Sequence, residues 1–345
     1  MSRIGGGLRS VDRASGAALV LLAVLAPLIF NDYWVRTLLT QMLFLGVVAA
    51  SLIFLSAFGG MVSLAQVALY GIAGFAMANL TTSGSGSGLR EGWAPLAAVP
   101  VAIILTVVIG LLFGALANRS VGIYFLMITL TFSVIANLFF GQVTSLSGFG
   151  GVGGVPTPDW LNTPERLYYT CLVVALLVYV FLRYLSRTPF GLTLQGIRDD
   201  PVRMASLGYN VALHRTLAFG VAAFVAALGG ILFVWWNRQI SPSTIGLSAT
   251  INVLVIAVIG GLLRLEGAWL GALVFVVLNN YTQQISSIAD RFQTVIGVIF
   301  LIIVLVSPDG LMGLWGRILG LRQGVRDRRA AGAGRGSGEL TPTGG

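Results

Sequence analysis

The run from 94 to 117, APLAAVPVAIILTVVIGLLFGALA, holds no charged side chain. Water offers no stable place for such a segment, whereas a helix of about 20 apolar residues matches the hydrocarbon core of a bilayer. Comparable runs recur at about 15–31, 35–57, 60–80, 121–142, 167–185, 215–236, 247–263, 267–285 and 292–308. They are continuous rather than alternating, which excludes barrel strands. The predicted fold class is therefore all-α: a polytopic transmembrane helical bundle of about ten spans. Composition agrees, since 10% of the 345 residues are charged and mean hydropathy is +0.90, against about 25% charged in a soluble domain.

Charge placement predicts orientation. All 21 basic residues are arginine and the net charge is +9. With the N-terminus inside, sixteen arginines fall in cytoplasmic segments and five (Arg36, Arg90, Arg166, Arg238, Arg291) in outer ones. That is a strong positive-inside bias. It accounts for the basic balance without nucleic acid and puts both termini in the cytoplasm. The expected divisions are a cytoplasmic N-terminal segment over 1–14, a membrane domain over 15–320, and a disordered cytoplasmic tail over 321–345. The arginines of the tail suit contact with anionic membrane lipid. The first run has no small-residue cleavage site and is read as a retained span. The single cysteine, Cys171, lies in an apolar run and forms no intrachain disulfide.

The chemistry available inside the spans is sparse. None of the 12 acidic residues lies at the middle of a span; Glu266 comes nearest, in a cytoplasmic turn beside Arg264. The one histidine, His214, stands at a span entrance. Buried carboxylates and histidines carry protons through pumps and symporters, so proton coupling is disfavoured. With no lysine, the chain has no P-loop. No metal-ligand cluster or nucleophile–base pair is visible, and no catalytic, cofactor-binding or metal site is expected. Uncharged polarity is what remains. Ser63 and Gln66 lie in the third run, Thr129, Ser133 and Asn137 at four-residue spacing along the fifth, and Asn252 in the eighth. Such residues either bond helix to helix or line a weakly polar path for a neutral or zwitterionic solute. The 129–133–137 stripe suits both equally. Outside the fifth run, the glycine-rich segment 145–158 is either a plain loop or a backbone-rich surface at the mouth of a pathway.

The polar island 187–215, RTPFGLTLQGIRDDPVRMASLGYNVALHR, has the punctuation of a short helix. Asp200 can cap it, Pro201 fits its first position, Val202 to Leu207 makes about two turns, and Gly208 can end it left-handed. Met204 and Leu207 share a face, with Val202 and Ala205 beside them. A helix this short is marginal in water and leans on something, expected here to be a second protein.

With these segments in view, the chain resembles LivM-type permease subunits of the branched-chain amino-acid ABC importers from about Leu38 to Gly313. The resemblance lies in Gly59-Gly60-Met61-Val62-Ser63-Leu64-Ala65-Gln66 with Gly71 and Gly74, in Tyr124 to Leu130, in the loop Ser147–Pro156, in Gly191 to Gly208, in Gly260-Gly261 and in Ser307 to Leu311. Met61 stands where the family usually has glutamine, Thr193-Leu194-Gln195 replaces Arg-Ala-Leu-Arg, and Leu262-Leu263-Arg264 replaces smaller residues. The resemblance implies a multi-pass protein of the bacterial inner membrane that is not itself an enzyme. It implies two cytoplasmic ATPase subunits that bind the ATP, a second permease chain in a heterodimer, and an extracytoplasmic solute-binding protein. It also implies that 187–215 is a coupling loop, with Arg198, Asp199, Asp200, Pro201, Met204, Ala205, Leu207 and Gly208 meeting the ATPase. The cargo implied is branched-chain amino acids, with other small amino acids, amides and urea as alternatives. The competing reading is an ATPase-independent secondary transporter or channel for a small neutral solute.

Overall fold

A computed structural model describes residues 34–81, 91–120, 122–148 and 150–284, with isolated positions between 294 and 311. The expected spans at 15–31 and 292–308 and the two terminal segments lie outside the described residues.

The described chain is helical nearly throughout. A π-helical entry, Trp34–Leu39, leads into α1 (Thr40–Gly59), followed by α2 (Gln66–Thr81), α3 (Pro95–Ala117) and α4 (Ile123–Gln142). A single turn, α5 (Thr144–Ser147), precedes strand β1 (Val152–Gly153) and α6 (Pro164–Leu185). The island holds α7 (Pro189–Asp199) and α8 (Pro201–Ser206). Then come α9 (Val211–Asn237), strand β2 (Gln239–Ile240), the 3-10 turn Pro242–Ile245, α10 (Leu247–Gly260) and α11 (Gly267–Gln284). Five helices among the described residues are long and apolar enough to cross a membrane: Thr37–Gly59, α3, α4, α6 and α9. The protein is thus a polytopic helical membrane protein.

α1 and α9 form its axis. α9 packs on α1, α2 and α3, while α1 also carries α6, α10 and α11. Small residues make this closeness possible, since lipid tails supply no hydrophobic drive and van der Waals fit must do so instead. Gly229 lies on Val48 of α1, and Gly230 lies against the backbone of Tyr70 in α2. On α3 the buried positions Ala98, Ala102, Thr106, Gly110 and Gly114 recur every four residues, one inward ridge. Its opposite face exposes Leu96, Ile104, Val108, Leu112 and Leu116. Thr106 satisfies its own hydroxyl on the Ala102 carbonyl at 2.7 Å.

One helix departs from its expected span at its start. α2 begins at Gln66, not near residue 60, because Met61 to Ala65 are non-helical although Met61, Ser63, Leu64 and Ala65 are buried. Non-helical backbone at membrane depth needs partners within the protein. Met61 N–H donates to the Leu55 carbonyl at 3.0 Å, Leu64 N–H to Thr129 Oγ1 at 3.1 Å, and Ala65 N–H to Ser63 Oγ at 3.3 Å. α10 starts at the expected residue, Leu247, after the segment 239–246 has folded inward. Ile245 occupies the space a side chain on Gly71 would take, and Ile240 the space beside Gly74.

The ends of the bundle are tied separately. β1 pairs antiparallel with β2 through Val152–Ile240 and Gly153–Gln239, joining the glycine-rich loop to the chain leaving α9. At the island end, Asn118 of α3 donates to the Ala212 carbonyl at 3.1 Å. Glu266, in the α10–α11 turn, pairs with Arg183 of α6 and accepts from Tyr179 at 2.8 Å. The expected neighbour Arg264 is not its partner: a turn brings sequence neighbours near but does not aim them, whereas α6 presents Arg183 and Tyr179 on one face, four residues apart.

Candidate functional site

The island is a folded unit rather than one short helix in a loop. Thr188 caps α7, accepting from Gly191 N–H at 3.4 Å, and Gln195 Nε2 donates to the Ser186 carbonyl at 2.9 Å. α8 has the expected Asp200 cap, which accepts from Arg203 N–H at 3.0 Å, the expected Pro201 start, and a left-handed Gly208 at φ 88°. Asn210 then caps α9 through Leu213 N–H at 3.0 Å. His214 stacks on Phe190 with ring centroids 5.9 Å apart, so it fastens α9 to α7.

Within this unit the residues singled out from the sequence divide by role. Arg198 turns back onto the bundle: its guanidinium bonds the Ala57 carbonyl at the end of α1, where a cation meets the negative end of a helix dipole. Its other contact is Asp199, 2.9 Å away. Asp200, Pro201 and Gly208 shape α8. Met204 packs over Gly196 of α7, so it does not share an open face with Leu207. Ala205 is exposed. No residue of α8 is buried, and Val202 is 76% and Leu207 65% exposed. Leu192 and Leu213 are also exposed large apolar side chains. The island is therefore tied to the bundle at several points and leaves the apolar side chains Leu192, Val202, Leu207 and Leu213 exposed.

The uncharged polar residues mostly bond helix to helix. Gln66 Oε1 accepts from Ser51 of α1 at 3.1 Å, and its Nε2 donates to Ser63 at 3.4 Å. Thr129 holds the 61–65 segment, Ser133 meets Thr250 of α10 at 2.9 Å, and Asn137 donates to the Pro242 carbonyl at 2.7 Å. The α4 stripe thus faces neighbouring helices. Asn252 differs. It lines a cavity of about 220 Å³ between α1, α2, α10 and α11, together with Gln41, Tyr70, Thr244 and Asn279 and an apolar wall that includes Val48, Ile256 and Phe275. Tyr70 and Gln41 follow no spacing that marks them in the sequence, and only the assembled bundle brings them to this cavity. Among the described residues, no group of acidic, histidine or cysteine side chains is arranged to hold a metal.

The described residues form a multi-pass helical bundle with a capped polar island at one end. Comparison with known sequences shows its family. The profile of the family described as "Branched-chain amino acid transport system / permease component" matches residues 35–304, and the chain belongs to that family. Membership makes it a transporter subunit, not an enzyme. It is 24% identical over 255 residues to the high-affinity branched-chain amino acid permease protein LivM of Escherichia coli, covering 66% of this chain and 59% of that one. The chain therefore spans about three fifths of that relative's length. A probable LivM of Methanocaldococcus jannaschii is 26% identical over 61% of this chain and 67% of its own length. LivH of Escherichia coli is 26% identical over 79% of this chain and 95% of its own. No solved structure matches the chain.

Proposed function

We propose that this protein is the membrane-spanning permease of an ATP-driven importer in a bacterial inner membrane, carrying branched-chain amino acids or related small neutral solutes inward. Its island end faces the cytoplasm together with both termini, as the arginine distribution favours. ATP is bound and hydrolysed by separate cytoplasmic subunits, a second permease chain completes the pathway, and an extracytoplasmic binding protein delivers the solute.

The observation that carries this reading is the pair of exposed apolar side chains, Val202 and Leu207, at the start and end of α8. Val202 and Leu207 stand bare on a helix that is capped, and the island is tied to α1 by Arg198 and to α9 by the Phe190–His214 stack. Exposed apolar side chains on a short capped helix suit a partner's groove, and a mount tied to α1 and α9 would pass the partner's motion to the two axial helices. Met204 supports the mount and Leu207 and Val202 the contact.

The test uses the importer reconstituted in liposomes from this chain and its partner subunits. Val202→Asp and Leu207→Asp are expected to abolish most ATP-dependent uptake while the chain remains inserted and folded, because a buried interfacial charge without a partner costs several kcal/mol. Undiminished uptake by both variants overturns the coupling assignment. Gradient-driven flux by the wild-type chain alone, with no ATPase present, overturns the importer reading. The solute panel includes leucine, valine, urea and ribose, since the ribose import permease RbsC of Haemophilus influenzae is 28% identical over 54% of the chain.

A further inference from the structure

The cavity beside Asn252 is bounded by two helices too short to cross a bilayer. α2 has 16 residues and α10 has 14, about 24 and 21 Å at 1.5 Å per residue, against a core of about 30 Å. Because Ile245 seats on Gly71 in α2, α10 starts within the bundle rather than at its rim. Its N-cap is Gly246, and no side chain caps it. Thr244 just before α10 and Ala249 in its first turn both line the cavity. The first N–H groups of a helix have no partners within it and carry partial positive charge.

A second, independent feature points the same way. Tyr70 lines this cavity with 6% of its surface exposed, and its hydroxyl makes no hydrogen bond among the described residues. A buried phenol without a partner carries a desolvation cost, and here it borders open volume. Among the described residues the cavity has no charged lining side chain, which suits a solute of zero net charge. About 220 Å³ is roughly seven times the volume share of a liquid water molecule, enough for a small organic solute.

We propose that this cavity is a holding site for a zwitterionic aliphatic amino acid within this single chain. The carboxylate lies at the first turn of α10 with the Tyr70 hydroxyl donating to it. The ammonium is met by the amide oxygens of Asn252 and Gln41, and the side chain rests against Val48, Ile256 and Phe275. The inference rests on the importer reading and adds to it a place within this chain where the solute is held and the residues that hold it.

Equilibrium binding of radiolabelled L-leucine to the purified full-length chain in lipid nanodiscs tests this without any ATPase. Tyr70→Phe and Asn252→Leu are near in size to the native residues, and monodisperse elution checks their fold. Each is expected to weaken leucine binding about tenfold, the effect of losing a hydrogen bond to a charged group. Leucinamide, which lacks the carboxylate, and 4-methylpentanoate, which lacks the ammonium, are expected to compete poorly. Wild-type affinity in both folded variants, competition by leucinamide equal to leucine, or absence of leucine binding to the wild-type chain overturns the proposal. Failure of ATP-driven uptake with leucine binding intact instead removes the importer reading and leaves the site standing.

Discussion

α3 and α9 are both long, apolar and helical, and α3 is the more hydrophobic of the two, yet 22% of its span is buried against 72% of that of α9. Hydropathy therefore does not separate interior from exterior in this molecule. Lipid is as apolar as leucine, so neither position is favoured by greasiness alone. What separates the two helices is where the small residues fall. On α3 they form one ridge, and the remaining circumference is Leu, Ile and Val. On α9 they meet three neighbours: Gly220 meets Leu111 of α3, Gly229 meets Val48 of α1, and Gly230 meets the Tyr70 carbonyl of α2.

This contrast breaks first at Gly230, where an added side chain runs into backbone that cannot step aside. Gly230→Leu is expected to prevent accumulation of folded, monodisperse protein in detergent, the largest effect on the molecule; a normal elution profile would show that α9 is not the axis. Gly110→Leu on the α3 ridge pushes against Ala223 of α9, and overpacking of this kind costs about 1–3 kcal/mol. A clear fall in thermal midpoint is expected, with folding retained. Smaller again is Glu266→Gln, which removes a half-exposed ion pair worth about 0–1 kcal/mol, and a slight drop in midpoint is expected. Last is Leu112→Ala on the outer face of α3, expected to change stability by no more than about 0.5 kcal/mol. Equal losses at Gly110 and Leu112 would mean that α3 is packed on both faces in the assembled transporter.

Features set by nearest neighbours were legible in the sequence. The Asp200 cap, the Pro201 start and the Gly208 end needed only residues within one helical turn, and α8 runs Pro201–Ser206 against an expected helix from Pro201 to Leu207. Spans without interruptions were also legible, since α3 and α4 begin within two residues of their expected starts. α7 was missed, although Thr188 and Pro189 form the same kind of start signal as Asp200 and Pro201. It sits on the shoulder of a polar island where hydrophobic periodicity is weak. The late start of α2 was hidden for another reason: Met61 to Ala65 are mostly apolar and look helical until the hydroxyls that hold their N–H groups, Thr129 and Ser63, are brought alongside.

The polar residues show the same division. Thr129, Ser133 and Asn137 are visibly one face of a helix, because a four-residue repeat is a property of the chain alone. Which neighbour that face meets depends on how α4 lies against α2, α10 and the 3-10 turn, and their partners lie 65, 117 and 105 residues away in sequence. Asn252 and Tyr70 are separated in the same way and share a cavity wall.

By itself, then, the sequence determined that this chain belongs in a membrane, that it crosses many times, how its arginines are spread between the spans, and that its 345 residues hold no lysine with which to build a P-loop. These follow from composition and from spacings of a few residues, whose energetics are local. Only the tertiary structure decided which helices are the axis, which polar groups are spent on one another, and where volume is left over. Those outcomes depend on shape fit between distant segments in a medium where hydrophobicity no longer distinguishes inside from outside.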